Sequence, residues 1–122
     1  MSHHLNDVHL IGRFGNSIEE RELPSGTVIT SFNVIIDRPS REVHGRIKVD
    51  SIACQTSRPS VASRVLKISP GELVEVSGAL RRRFWRGGSG LASSTEVHVV
   101  RCRVIKSTSF ASAGEVAVGS RP

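Results

Sequence analysis

Three consecutive arginines, Arg81, Arg82 and Arg83, run directly into Phe84 and Trp85, then Arg86 and a glycine-rich stretch from Gly87 to Gly90. Guanidinium groups neutralise phosphates, and an exposed aromatic ring offers a flat platform for a base. Residue types in this order therefore suit a surface for single-stranded nucleic acid. The same residues also fit a solvated basic strand end with Trp85 folded into the core. A second cationic group has Arg38, Arg41 and Arg46 in a polar stretch over residues 37–46 that reads as a hairpin loop and Lys48 just after it, and Arg13 lies near the N-terminus. Together with Trp85 these ten positions are the candidate nucleic-acid contacts: Arg13, Arg38, Arg41, Arg46, Lys48, Arg81, Arg82, Arg83, Trp85 and Arg86. Arg101, Arg103 and Lys106 suit solvent or a neighbouring subunit equally well.

Catalytic chemistry is poorly supplied. His9, His44 and His98 stand apart from any nucleophile, so the base–nucleophile pairing that catalysis needs is missing. Asp37 and Asp50 can meet across a hairpin, but two carboxylates alone do not hold a metal, and Asp37 reads as a turn residue. There is no Walker motif. Cys54 and Cys102 lack Cys-x-x-Cys spacing and read as buried free thiols. No catalytic group, cofactor or metal is expected.

The formal charge of +6 and a sequence pI near 10.6 favour a polyanionic partner. No apolar run approaches the roughly 18–20 residues that span a bilayer, no basic amphipathic helix appears, and the N-terminus lacks signal-peptide regions. The expectation is a cytoplasmic, nucleoid-associated protein without a membrane partner.

The elements that must position these residues are mostly strands. With 122 residues there is room for one domain. Val8, Leu10 and Gly12 alternate with His9, Ile11 and Arg13 in a first strand, which residues 19–23 can continue after a bend at Gly15 and Asn16. Pro24, Ser25 and Gly26 make a turn. Val28, Thr30, Phe32, Val34 and Ile36 alternate over the next strand, and residues 47–55 form a third. Ser57 to Ser60 supplies a helix start with a serine cap candidate and a proline suited to the first turn. Val61, Val65 and Leu66 recur at helical spacing until Ser69, Pro70 and Gly71 stop the helix. A fourth strand covers 73–83, a flexible hairpin loop 87–90, and a valine-rich fifth strand 95–106. Three strands, one helix and two strands fit an all-β fold, the five-stranded Greek-key barrel called the OB fold, with the helix plugging one end. This domain is expected over residues 1–106, followed by a flexible C-terminal tail over 107–122.

Several ordered stretches resemble the bacterial single-stranded DNA-binding proteins (SSB): residues 6–15, 20–26, Phe32 to Val34, 70–78, 80–85 and Thr95 to Val97. The resemblance covers roughly residues 5–106. It implies non-catalytic, largely sequence-independent binding of single-stranded DNA in replication, repair or recombination, with bases stacked on a few aromatics. Trp85 falls on one such position; Phe84 alternates to the other face and is expected to pack inward, with Phe14 and Phe32 in the core. The family's other stacking positions fall here on Arg38 to Arg41 and Val49 to Ser57, which hold no aromatic. With each stacked base contributing about 1–3 kcal/mol, the loss should weaken non-electrostatic binding. Arginine–phosphate contacts would then dominate and make binding unusually salt-sensitive.

The family's replicative members carry a long tail with an acidic, aromatic tip. This chain ends differently, so recruitment of other proteins through an acidic tail is not expected, and a short secondary paralogue fits. The resemblance also implies a homo-oligomer, a tetramer first and a dimer second. Alternatives are a tailless relative such as the primosomal replication protein N, acting mainly through protein contacts, or a scaffold OB subunit. RNA binding also stays open, since a positive groove with one aromatic does not distinguish the sugars.

Overall fold

A computed structural model describes residues 3–43 and 45–105. Strands β1 (Val8–Phe14), β2 (Glu19–Glu22) and β3 (Val28–Asp37) are followed by a single 3-10 turn, Ser40–Glu42. Next come β4 (Val49–Thr56), helix α1 (Pro59–Val65) and the long strands β5 (Leu73–Gly87) and β6 (Gly90–Val104). The sheet order is β1-β5-β6-β4-β3-β2, and an additional β1–β3 pairing closes it on itself. All neighbours are antiparallel except β4 and β6. β1 and β2 both pair with β3, so they are two halves of one bent strand, as the bend at Gly15 and Asn16 predicts. Counted this way the barrel has five strands and a helix between the third and fourth: the OB fold.

Alternation places the core. Thr30, Phe32 and Val34 of β3 point inward, as do Cys54 and Thr56 of β4, Val74 and Val76 of β5, and Val97, Val99 and Cys102 of β6. Phe14 and Phe32 stack inside, with ring centroids 5.4 Å apart. Both cysteines are buried free thiols, as expected; burial pushes Cys54 up to about 12 and Cys102 to about 11. Val61 and Val65 of α1 close the barrel end together with Ile68. Leu66, expected on the buried face, is exposed, because the helix ends there and Ile68 turns inward instead.

The expected serine cap of α1 does not form. Arg58 is its N-cap and Pro59 its first residue, with no side-chain cap. Thr56 Oγ1 accepts from the Arg58 backbone N–H at 3.1 Å and donates to the Val99 carbonyl at 2.9 Å, which occupies this buried hydroxyl twice. The turn at Leu23 to Gly26 forms as predicted, its closing N–H···O bond 2.8 Å long.

β4 begins at Val49, two residues after the predicted start, and Asp37 is the last residue of β3 rather than a turn residue. The larger difference concerns β5 and β6, which continue well past the predicted limits at 83 and 95 and pair without interruption to Gly87 and Gly90. Serine and glycine there read as loop composition, yet a two-stranded ladder needs only backbone groups facing each other. Lys106 and the tail over 107–122 lie outside the described residues, as does His44.

The two long strands change phase once. Val76 pairs with Cys102 but Gly78 with Val99, so β6 carries one extra residue opposite Ser77 and Gly78. A Cβ on Gly78 would lie 1.9 Å from the His98 carbonyl oxygen, which is why glycine stands at this bulge. Just beyond, the Asn6 side chain pairs with both backbone groups of Leu80 at 2.8 Å, continuing the ladder where β1 ends. From here the hairpin projects past the barrel as an arm.

Candidate nucleic-acid interface

The arm has two faces, because paired residues in an antiparallel ladder share a side and successive residues alternate. Arg81, Arg83, Trp85, Ala92, Ser94 and Glu96 form one face, and Arg82, Phe84, Arg86, Leu91, Ser93 and Thr95 the other. The first is the more sheltered and leads into a groove lined by Glu19, Arg21, Leu23, Ile29, Ser31, Gln55, Arg83 and Glu96. The groove thus runs from the base of the arm over the outer surface of β2, β3 and β4.

At its lip Trp85 is 42% exposed, and the Arg83 guanidinium lies 4.9 Å from the ring centroid. Arg83 also donates to Glu96 Oε2 at 3.2 Å. An aromatic held flat by a cation and open on its remaining surface can stack a base. The reading of Trp85 as a core residue is thereby excluded. Gln55 Oε1 in the groove and Ser94 Oγ, on the strand position opposite Arg83, are buried without a hydrogen-bond partner among the described residues. Desolvation lowers the pKa of His98 at the arm's base, with help from Arg81 and Arg58, so its imidazole is neutral at physiological pH.

Phe84 does not pack inward. It is 56% exposed, because beyond Leu80 there is no barrel interior for the second face of β5 to fill. Phe14 and Phe32, in contrast, are core residues as expected. The outward residues of the barrel wall are Ile29, Ser31, Asn33 and Ile35 on β3 and Val49, Ser51, Ala53 and Gln55 on β4, none aromatic.

The β3–β4 hairpin gathers the second set of candidates. Arg38 donates through Nε and Nη2 to the Asp50 carboxylate at 2.8–3.1 Å. That hydrogen bonding raises the arginine pKa and holds Asp50 below the usual carboxylate range. Arg13 reaches across from β1 to Asp37 at 3.1 Å. The two aspartates therefore each face an arginine rather than one another. Among the described residues no group of three His, Cys, Asp or Glu side chains could hold a metal. Arg41, Arg46 and Lys48 are exposed and make no ion pair with a described residue. The same holds for Arg81, Arg82 and Arg86 on the arm.

His9 and Arg103 both pair with Glu75 on the outer surface of β1, β5 and β6, and the His9 bond holds Glu75 below its ordinary value. Arg101 is exposed nearby. Arg21 is a groove cation that sequence reasoning passed over, because three glutamates surround it in β2. Only the strand pairing, which sends Arg21 and Glu19 outward opposite Ile29 and Ser31, brings it to the groove.

Comparison with known proteins agrees with this architecture. The Single-stranded DNA-binding protein of Oceanobacillus iheyensis is 29% identical over 86 residues, covering 70% of this chain and 53% of that protein. Single-stranded DNA-binding protein 3 of Listeria innocua is 28% identical over the same share of this chain and 54% of its own. The chain spans about half the length of the curated relatives it matches. A solved structure described as a Plasmodium falciparum SSB complex with ssDNA superposes with a TM-score of 0.68. It covers 86% of this chain and 96% of that one at 23% identity, a likeness of fold. Residues 5–105 match the Single-strand binding protein family, and the chain belongs to it.

Proposed function

We propose that this protein binds single-stranded DNA without catalysis and largely without regard to sequence, in replication, repair or recombination. The observation that carries the reading is Trp85, half-open at the lip of the groove with Arg83 against its ring, in a chain of this family. In this reading a base stacks on Trp85 while Arg81, on the same face of the arm, holds a neighbouring phosphate. The β3–β4 hairpin adds Arg41, Arg46 and Lys48 from the other hairpin, with Arg13 and Arg38 contributing once released from their carboxylates. The barrel wall supplies shape and polar groups and no stacking platform, so affinity leans on counterion release. Assembly as a tetramer, or else a dimer, in the cytoplasm belongs to the same proposal.

A second reading follows from the wall itself. Its lack of aromatics suits an OB protein of the primosomal or scaffold kind, which acts through protein contacts and binds nucleic acid weakly. One titration separates the two. Trp85 is the single tryptophan, so its emission can be followed with oligo-dT at low and moderate salt, with duplex as control. Strong quenching by the single strand that fades steeply with salt is expected. Neither quenching nor binding at low salt would replace the first reading with the second.

A further inference from the structure

The groove-facing side of the arm is the expected one; its other side has a composition that solvent exposure alone does not explain. Arg82, Phe84, Arg86, Leu91, Ser93 and Thr95 are all exposed there, with Phe84 at 56% and Leu91 at 72%. The Arg82 guanidinium lies 5.1 Å from the Phe84 ring centroid and donates to Ser93 Oγ at 3.0 Å. This repeats the Arg83–Trp85 arrangement of the sheltered face one residue out of phase.

One difference separates the two sides. Arg83 is paired with Glu96, whereas neither Arg82 nor Arg86 has a carboxylate partner among the described residues. An aromatic ring between two uncompensated guanidinium groups matches a base flanked by two phosphates. A protein partner or second copy that buried this side would have to desolvate both charges. The arm is also narrow, a single inter-strand spacing of about 4.8 Å across its backbone. Its tip is Gly87, Gly88, Ser89 and Gly90, where Ser89 carries the one side chain. A flexible strand leaving Trp85 over this tip reaches the opposite side at once.

We propose that the outer side of the arm is a second track for single-stranded nucleic acid, on which Phe84 stacks a base and Arg82 and Arg86 hold the flanking phosphates. The strand then wraps both sides of the arm. This rests on the single-strand-binding reading above and extends it to a surface that the groove does not reach.

The test exchanges the two aromatics. In the double variant Phe84→Trp, Trp85→Phe the single tryptophan reports from the outer side, and anisotropy of a labelled oligo-dT reports binding independently. Strands of about 6 and about 16 nucleotides fall near the two ends of the range for one OB domain. The longer strand is expected to quench residue 84 and the shorter one to leave it bright. Phe84→Ala should weaken the longer strand about five- to hundredfold and change the shorter by less than about twofold. Anisotropy showing full binding of the longer strand with unchanged emission at 84 would overturn the proposal. So would a Phe84→Ala protein that binds both strands normally but changes oligomeric state in sedimentation, which would make this side a self-association surface. Loss of the underlying reading is seen separately, as an unaltered protein that binds neither strand.

Discussion

Two hairpins of this barrel carry four cations each and use them differently. Between residues 37 and 50, Arg38, Arg41, Arg46 and Lys48 are set among Asp37, Glu42 and Asp50. Between 81 and 96, Arg81, Arg82, Arg83 and Arg86 face the single acid Glu96 and bring two exposed aromatics. In the first hairpin the chelated Arg38–Asp50 pair and the Arg13–Asp37 bridge sit on opposite faces, the first tying the start of the loop to β4 and the second tying β3 to β1. In the arm the backbone ladder does the holding, and of its four arginines only Arg83 is tied to a carboxylate among the described residues. Net charge therefore favours the arm, with one acid against three. Each hairpin ties one arginine to a carboxylate and leaves three cations without one among the described residues, so what separates the two is the pair of exposed aromatics on the arm.

The most damaging way to test this division is at the joint between barrel and arm. Gly78→Ala puts a methyl group against the His98 backbone, where no flexible side chain can yield. A loss of about 3 kcal/mol or more is expected in denaturant unfolding, at the upper end of overpacking effects. If the arm carries binding, the protein that remains folded should lose single-strand affinity while the β3–β4 hairpin keeps its ion pairs. Smaller and more specific is Trp85→Ala. Removing a stacking platform should cost about 1–3 kcal/mol of single-strand affinity, read by anisotropy, with little change in stability because the ring is already half in solvent. The matching change in the other hairpin, Arg46→Ala with Lys48→Ala, should leave stacking intact and flatten the salt dependence by about 0.7 for each phosphate no longer neutralised. An equal loss from both variants in moderate salt would erase the distinction between the hairpins.

How legible this was depends on which interactions decide each part. The barrel was readable because Thr30, Phe32 and Val34 alternate without interruption and Val74, Val76, Val97 and Val99 do the same across the sheet. A half-buried strand writes its two sides into a period of two. The arm was not, since residues 87–95 are glycine, serine, alanine, leucine and threonine, whose pairing rests on backbone groups that side-chain patterns do not report. The same gap misplaced Phe84: its alternation was right, and its burial was wrong because the barrel wall ends below it. Trp85 could be found from its neighbours, whereas Arg21 needed the strand pairing. The internal ion pairs were beyond reach, because Arg13 meets Asp37 only through the β1–β3 closure.

The smallest expected effect is also the sharpest probe of the contrast, because it converts one hairpin toward the other. Asp50→Asn removes the anion that engages Arg38, and Glu96→Gln does the same for Arg83. Each should tighten single-strand binding at low salt and steepen its salt dependence, by at most about 0.7 for one additional phosphate neutralised. The Glu96 change should act more strongly, since Arg83 is 42% exposed at the groove and Arg38 only 27%. The pH dependence checks that the Arg38 pair is responsible. Asp50 has its pKa lowered in the folded protein, so its stabilisation is fully present above the ordinary carboxylate value of about 3.9. It is lost as pH falls through the lower folded value. The melting-temperature gap between the native protein and Asp50→Asn should therefore be constant from neutral pH down to about 5 and close below the ordinary value. A gap that persists at the acid end would assign the aspartate a role other than holding Arg38, and the ion pair would then not be what withholds this arginine from phosphate.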